Sequence, residues 1–285
     1  MAARLFLLIG LLLPQLAAAE TSLWRISKGN NQLYIGGTVH VLSQSDYPLP
    51  DEFEQAFREI GVLVLEADLA GLSQPNAQAQ LTQSLNYDDG TTLKSKLNPK
   101  TYKALTRYCK ATGLSVKAMQ TMKPSMVVLT LTMAELKRLG LAGAGVDQFF
   151  LDKAKKSGKQ ITGLESTESQ INALVNMGHG HENKLILSTI KELKKTPEFM
   201  DEIKKAWRAG DLASLEKVGI KSMKADFPEL NNSLLASRNT AWLPKIKAML
   251  SSPERELILV GTLHLAGEQG VLAQLQKQGY VVEQY

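Results

Sequence analysis

Two of the chain's four histidines stand in the same setting, Gly-Thr-x-His, at 37–40 and 261–264, each closing an apolar run: QLYIGGTVHVL and ELILVGTLHLA. Two acidic side chains close similar runs, Glu66 in VLVLE and Glu165 in ITGLE. Imidazoles and carboxylates make two kinds of chemistry available. His40, His264 and Glu66 are a ligand set for zinc, manganese or cobalt, with a position left for a water whose pKa the ion lowers. Without metal the same groups serve as acid and base, because an imidazole beside a carboxylate titrates near neutrality. A single G-T-x-H carries little weight, since a strand-end histidine is as readily a packed core residue. Its repetition in the same context argues for function. Glu66 inside an apolar run is costly to bury without a partner. Glu165 has a structural alternative, because Thr167 and Gln170 just beyond it have capping-box spacing.

Bringing these groups together requires strands whose carboxyl ends meet. SLWRIS and NQLYIGG flank the turn signal KGNN and read as a β-hairpin. GVLVLEAD (61–68), KQITGLES (159–166), ELILVGTLH (256–264) and GYVVEQY (279–285) are further strand candidates, and the continuous apolarity of VLVL and LILV suits central strands covered on both faces. Helical patterns lie between them. DEFEQAFREIG puts Phe53, Ala56, Phe57 and Ile60 on one face, and amphipathic stretches fill 99–157 and 167–250. The expected fold class is α/β: a mixed central β-sheet opening with a β-hairpin, covered by helices, with large helical insertions. In open α/β sheets the carboxyl edge is where ligands bind. Gly37 and Gly261 let the backbone leave the sheet sharply, and Thr38 and Thr262 can hydrogen-bond the turning backbone. No Pro-, Gly- or Ser-rich linker divides the chain, so one domain is expected over 20–285.

Residues 1–19 have the layout of a cleavable signal peptide: Arg4, an apolar stretch from Leu5 to Leu13, and Ala17-Ala18-Ala19 before Glu20. The stretch is too short to span a bilayer. A periplasmic or secreted protein is expected, with no stable membrane insertion after cleavage. Cys109 is the sole cysteine, which excludes an internal disulfide and reads as a small buried hydrophobe. The net charge of +5 is weak support for an anionic partner. Its lysines alternate with acids in stretches such as KELKKTPEFMDEIKKAWRAGDL, a solvated-face pattern, and no nucleic-acid partner is expected.

YIGGTVHVL, LVLEADL, GVDQFFLDKAKKSGKQITGLESTESQ, SRNTAW and LVGTLHLAGEQGVLAQLQKQGYVVE, in this order along nearly the whole chain after the leader, resemble the TraB/GumN family. That family includes the Tiki metalloproteases and is distantly similar to erythromycin-esterase and ChaN-like proteins. The resemblance implies a mixed α/β sheet with helical insertions and metal-dependent hydrolysis, proteolytic in the Tiki branch. It places the two GxxH histidines at His40 and His264 and the strand-end glutamate at Glu66. Its GLE-x-x-x-x-Q element falls on Glu165 and Gln170, its Arg-Asn pair on Arg238 and Asn239, and its GVD aspartate on Asp147.

The expected function is therefore an exported metal-dependent hydrolase acting on a peptide or a small amide or ester. His40 and His264 hold a divalent ion, with Glu66 as a further ligand or as general base. Glu165 orients a histidine or shares the base role, and Arg238, with Asn239 beside it, stabilises charge in the transition state. Arg238 also has a plainer reading, a surface arginine lying over Trp242, and Asp147 one as the complement of a helix N-terminus. His179 and His181 form an H-x-H pair but, flanked by Gly and polar residues, read as an exposed loop. Two other function classes stay open: a non-catalytic periplasmic protein binding a ligand or metal, and a metal-free esterase-like hydrolase.

Overall fold

The turn signal KGNN closes a hairpin. Strands β1 (Leu23–Lys28) and β2 (Asn31–Thr38) pair antiparallel with Lys28 opposite Asn31, and Gly29 takes the left-handed conformation such a turn needs (φ +61°). The computed structural model describes residues 21–67, 71 and 74–285; the expected signal peptide lies outside them. The remaining strands are β3 (Val41–Leu42), β4 (Val62–Ala67), β5 (Gly143–Ala144), β6 (Gln160–Glu165), β7 (Glu256–Gly261) and β8 (Val281–Gln284). Six of them form one sheet in the order β6-β4-β7-β2-β1-β8. The first four strands in that order run parallel, while β1 is antiparallel to both its neighbours. This is the expected mixed sheet. The ribbon of β3 with β5 was not expected, because strands of two residues are too short for any periodicity to reveal.

Period-two alternation divides the central strands between two cores. Leu63, Leu65, Leu257 and Leu259 face Phe53, Phe150 and Trp207, carried by helices Asp51–Glu59, Val146–Ser157 and Thr196–Ala209. Val62, Val64, Ile258 and Val260 face the opposite way, onto Trp242, Ile246, Leu272 and Leu275 of helices Ser237–Met249 and Val271–Lys277. Both faces are covered, as the unbroken apolar runs require. A third cluster lies away from the sheet, where helices Pro99–Ala111, Pro124–Arg138 and Glu182–Leu193 gather Leu105, Val127, Leu131 and Ile186. Cys109 is buried in it, as expected of a small hydrophobe. The helix after β6, Thr167–Val175, is capped one residue earlier than the sequence suggested: the Ser166 hydroxyl accepts from Ser169 N at 3.1 Å. Glu165 thus stays on its strand and Gln170 is released from a capping role.

Candidate active site

The sheet explains the repeated motif. Strands β2 and β7 are parallel neighbours with Gly37 opposite Val260 and Thr38 opposite Gly261, so the two G-T-x-H segments lie side by side, staggered by one residue. Contact is close enough that a Cβ on Gly37 would come within 2.7 Å of Thr262 Oγ1. Strand β4 flanks β7 on its other side and β6 lies beyond. Their common direction brings His40, Glu66, Glu165 and His264 to one sheet edge.

Arg238, near the start of helix Ser237–Met249, ties three of these groups together. Its Nη2 donates to Glu66 Oε2 and to Glu165 Oε1, each at 2.6 Å, and its Nε to Glu165 Oε2 at 3.1 Å. Nη1 reaches Leu234 O and His264 Nε2, both at 3.1 Å. All five N–H donors are thereby engaged. Leu234 belongs to the widened π-helical turn Asn232–Ala236, which leads directly into the helix of Arg238. The guanidinium also sits 4.9 Å over the Trp242 ring, so the arginine both lies on the tryptophan and points into the cleft. Asn239, the next residue, sets the His264 ring. Its Nδ2 donates to the carbonyls of His264 (3.3 Å) and Gln269 (2.8 Å), leaving Oδ1 to accept from His264 Nδ1 at 2.6 Å. That fixes the Nδ1–H tautomer and turns the Nε2 lone pair toward Arg238. Asn239 is therefore a positioning residue.

His40 approaches from the opposite side. Its Nδ1 lies 3.4 Å from Asp147 Oδ1, in the first turn of helix Val146–Ser157. Gly145 makes this possible, since a Cβ there would meet the His40 carbonyl oxygen at 2.4 Å. Asp147 thus starts a helix and also holds His40. The space over Gly261 is where the groups meet. A Cβ on Gly261 would stand 3.1 Å from Glu66 Oε1, 3.2 Å from His40 Nε2 and 3.7 Å from His264 Cδ2. Beside it opens a cavity of about 210 Å³ lined by Thr38, His40, Glu66, Asp147 and Gln170 among others. Thr38 is 2 % exposed and its hydroxyl has no partner. Turn-bonding was expected of Thr38 and Thr262; both hydroxyls are instead buried without a partner, and Thr38 is one of the residues that line the cavity.

Burial separates the protonation states. Desolvation opposes the charge on Glu66, yet His264, His40, Arg238 and the N–H of Gly261 (2.6 Å to Oε1) hold its pKa near 2. That direction rests on His40, Arg238 and the backbone N–H, because desolvation and Arg238 push His264 down to about 4 and leave it neutral at pH 7. Desolvation of its inner edge also opposes protonation of His40, but the hydrogen bond to Asp147 and the charges of Asp147 and Glu66 raise it to about 9. The His40 side chain as a whole is 61 % exposed, so water screens part of this gain.

The donor chemistry fits a divalent ion, as do the orphaned Thr38 hydroxyl and the niche over Gly261. The charge fits too: the carboxylates of Glu66, Glu165 and Asp147 stand against Arg238 and a protonated His40, and an ion in the niche would take the place of the His40 Nε2 proton. As arranged, His40 Nε2 and Glu66 Oε1 face the niche while His264 Nε2 is held by Arg238, and among the described residues no three metal-type side chains converge. His179 and His181 are not part of this site. They line a separate cavity with Lys184 and Phe227, where His181 lies 3.4 Å from Glu229.

A profile of the TraB/PrgY/gumN family matches residues 22–284. The chain is 25 % identical over 241 residues to the uncharacterized protein YbaP of Escherichia coli, covering 84 % of this chain and 86 % of that one. The same identity and coverage hold for YbaP of Shigella flexneri. It is 23 % identical to the human protein named metalloprotease TIKI1, over 95 % of this chain and 63 % of the human one. No solved structure gives a significant match. No helix among the described residues is long and apolar enough to cross a membrane.

Proposed function

The chain belongs to the TraB/PrgY/gumN family, and on that premise we propose that it is an exported metal-dependent hydrolase acting on an amide or ester bond, with peptides the favoured substrate. The observation that carries this reading is the niche over Gly261, where a carboxylate oxygen and an imidazole nitrogen face one another beside an unpartnered hydroxyl. The likeness to a protein named as a metalloprotease, TIKI1, supports the peptidase choice, and the signal-peptide layout of residues 1–19 supports export. His40, His264 and Glu66 would hold the ion, be it zinc, manganese or cobalt, which when bound supplies a water activated near neutral pH and a Lewis acid for the carbonyl. Asp147 and Asn239 each hold a ring by its Nδ1 and so fix which nitrogen meets the substrate. Arg238 holds Glu66 and Glu165 in register; stabilising a developing oxyanion would require it to exchange one of its present acceptors. In the metal-free reading the His40 Nε2, on the open side, would instead serve as acid and base.

Chelated protein resupplied separately with zinc, manganese or cobalt should recover cleavage of a peptide library and bind the ion in calorimetry. Glu66→Gln should lose both. Saturable peptide binding with no product under any ion would replace this reading with a binding protein. A metal-free hydrolase is the second reading, favoured by Arg238 holding the His264 lone pair. It predicts activity that survives chelation yet fails in His40→Ala and Glu66→Ala.

A further inference from the structure

Between Asp89 and Glu135 the sequence holds no acidic residue and eight basic ones: Lys94, Lys96, Lys100, Lys103, Arg107, Lys110, Lys117 and Lys123. Residues 20–90 are mainly acidic and those after 135 mix their charges, so this basic run stands apart, and it coincides with the helices of the third apolar cluster. On helix Pro99–Ala111, Lys103, Arg107 and Lys110 follow at intervals of four and three, which places them on one face. Lys94, from the turn before it, joins them. The four cations line a groove of about 570 Å³ with Leu97 and Tyr102 in its walls. Lys94 Nζ lies 6.0 Å from the Tyr102 ring centroid. Among the described residues none of the four forms an ion pair.

Like charges gathered without counter-ions make a field that attracts an oppositely charged ligand. We infer that this groove binds an acidic polypeptide segment, whose carboxylates pair with Lys94, Lys103, Arg107 and Lys110 while an apolar side chain rests against Leu97 and Tyr102. The lining selects this occupant: the apolar stems of the four cations, with Leu97 and Tyr102, form most of the exposed wall, which suits a chain that carries carboxylates and an apolar side chain together. A single-stranded nucleic acid needs successive aromatic platforms for stacking, and here one ring faces the groove. The surface is formed by the helical insertion and not by the catalytic strand ends, so it holds whether or not the hydrolase reading does.

Anisotropy of a labelled peptide rich in Glu with interspersed Leu, measured on the whole protein, tests this. The expected result is saturable binding that weakens at least about tenfold when each Glu is replaced by Gln, and that falls as salt shortens the Debye length. Lys103→Glu with Arg107→Glu should weaken binding by a similar factor while circular dichroism and Tm stay unchanged, since both side chains are exposed. Lys103→Gln with Arg107→Gln, which removes charge without reversing it, should give an intermediate loss. Equal binding of the Glu and Gln peptides, or undiminished binding by the charge-reversed variant, overturns the proposal. So does preferential binding of phosphatidylglycerol vesicles or of single-stranded DNA over the acidic peptide.

Discussion

At the scale of single residues, one guanidinium serves two glutamates that are each about nine-tenths buried. Removing one member of such a cluster costs more than the cluster contributes, because the charges left behind have lost both water and partner. Arg238→Met should therefore destabilise the protein by roughly 3–5 kcal/mol, whereas Arg238→Lys keeps the charge, loses the fork and should cost less; urea denaturation of both variants measures the gap. Gly261→Ala separates function from folding. Its backbone (φ −49°, ψ 132°) suits any residue, and the added methyl meets only side-chain atoms of Glu66, His40 and His264 at 3.1 Å or more. Stability should stay within about 1 kcal/mol of the parent, while ion binding and turnover fall at least tenfold because the methyl occupies the niche. A variant that binds the ion as the parent does would remove the niche from the mechanism. The histidines and glutamates were legible in the sequence because each ends an apolar strand. The multiple engagement of Arg238 was not, since which acceptors a long side chain finds depends on strands remote in sequence.

Among the elements, the segment after β2 decides where His40 sits, and two contacts hold it. Gly145 and Val146 dock on its backbone, with Val146 N donating to Val39 O at 3.2 Å. On the far side helix Thr196–Ala209 straps the loop down: Trp207 Nε1 donates to Gly37 O at 2.7 Å and Lys204 Nζ to Asp46 Oδ1 at 3.0 Å. Desolvation resists the charge of Asp46, but the Ser43 hydroxyl and N–H and the Lys204 ammonium outweigh it and hold the carboxyl below its usual value. A depressed folded pKa contributes stability that is complete above the unfolded value and is lost as pH falls through the folded one. Asp46→Asn should thus cost about 1–3 kcal/mol at neutral pH, and the difference from the parent should close below about pH 4, where the unfolded carboxyl protonates. Denaturation curves of the two proteins from pH 7 to pH 3 test the sign; a gap that widens in acid would contradict it. Gly145→Ala should lower turnover by pushing Asp147 away from His40. Periodicity exposed all six strands of the main sheet and the helix faces of Phe53 and Trp242. It missed β3, β5 and the π-helical turns Glu216–Ile220 and Asn232–Ala236, whose geometry is set by what packs against them. Gly219 illustrates this, as a Cβ there would meet Leu263 at 2.3 Å.

Across the whole molecule, the mixed sheet and the helical insertion have separate cores. The hairpin pairing could be read from its turn, but the order β6-β4-β7-β2 could not, because parallel neighbours share no local signal and are chosen by long crossovers. That order brings the site together, since β7 must lie between β2 and β4 for Gly261 to face both His40 and Glu66. The insertion is built on Leu93, Leu105, Val127, Leu131 and Ile186, all fully buried in a cluster of their own. A defect there should therefore stay local. Leu105→Ala removes a side chain with no exposure and should cost roughly 2–5 kcal/mol. Hydrogen exchange should then quicken in helices Pro99–Ala111 and Pro124–Arg138 while the amides of β4 and β7 keep their protection. The matching change in the sheet, Leu259→Ala, should lower protection across the central strands and weaken ion binding, because Leu259 lines the cavity beside His40 and Glu66. Equal loss of protection in β7 from the two substitutions would mean that sheet and insertion unfold as one unit, and the basic groove could then no longer be altered without disturbing the site.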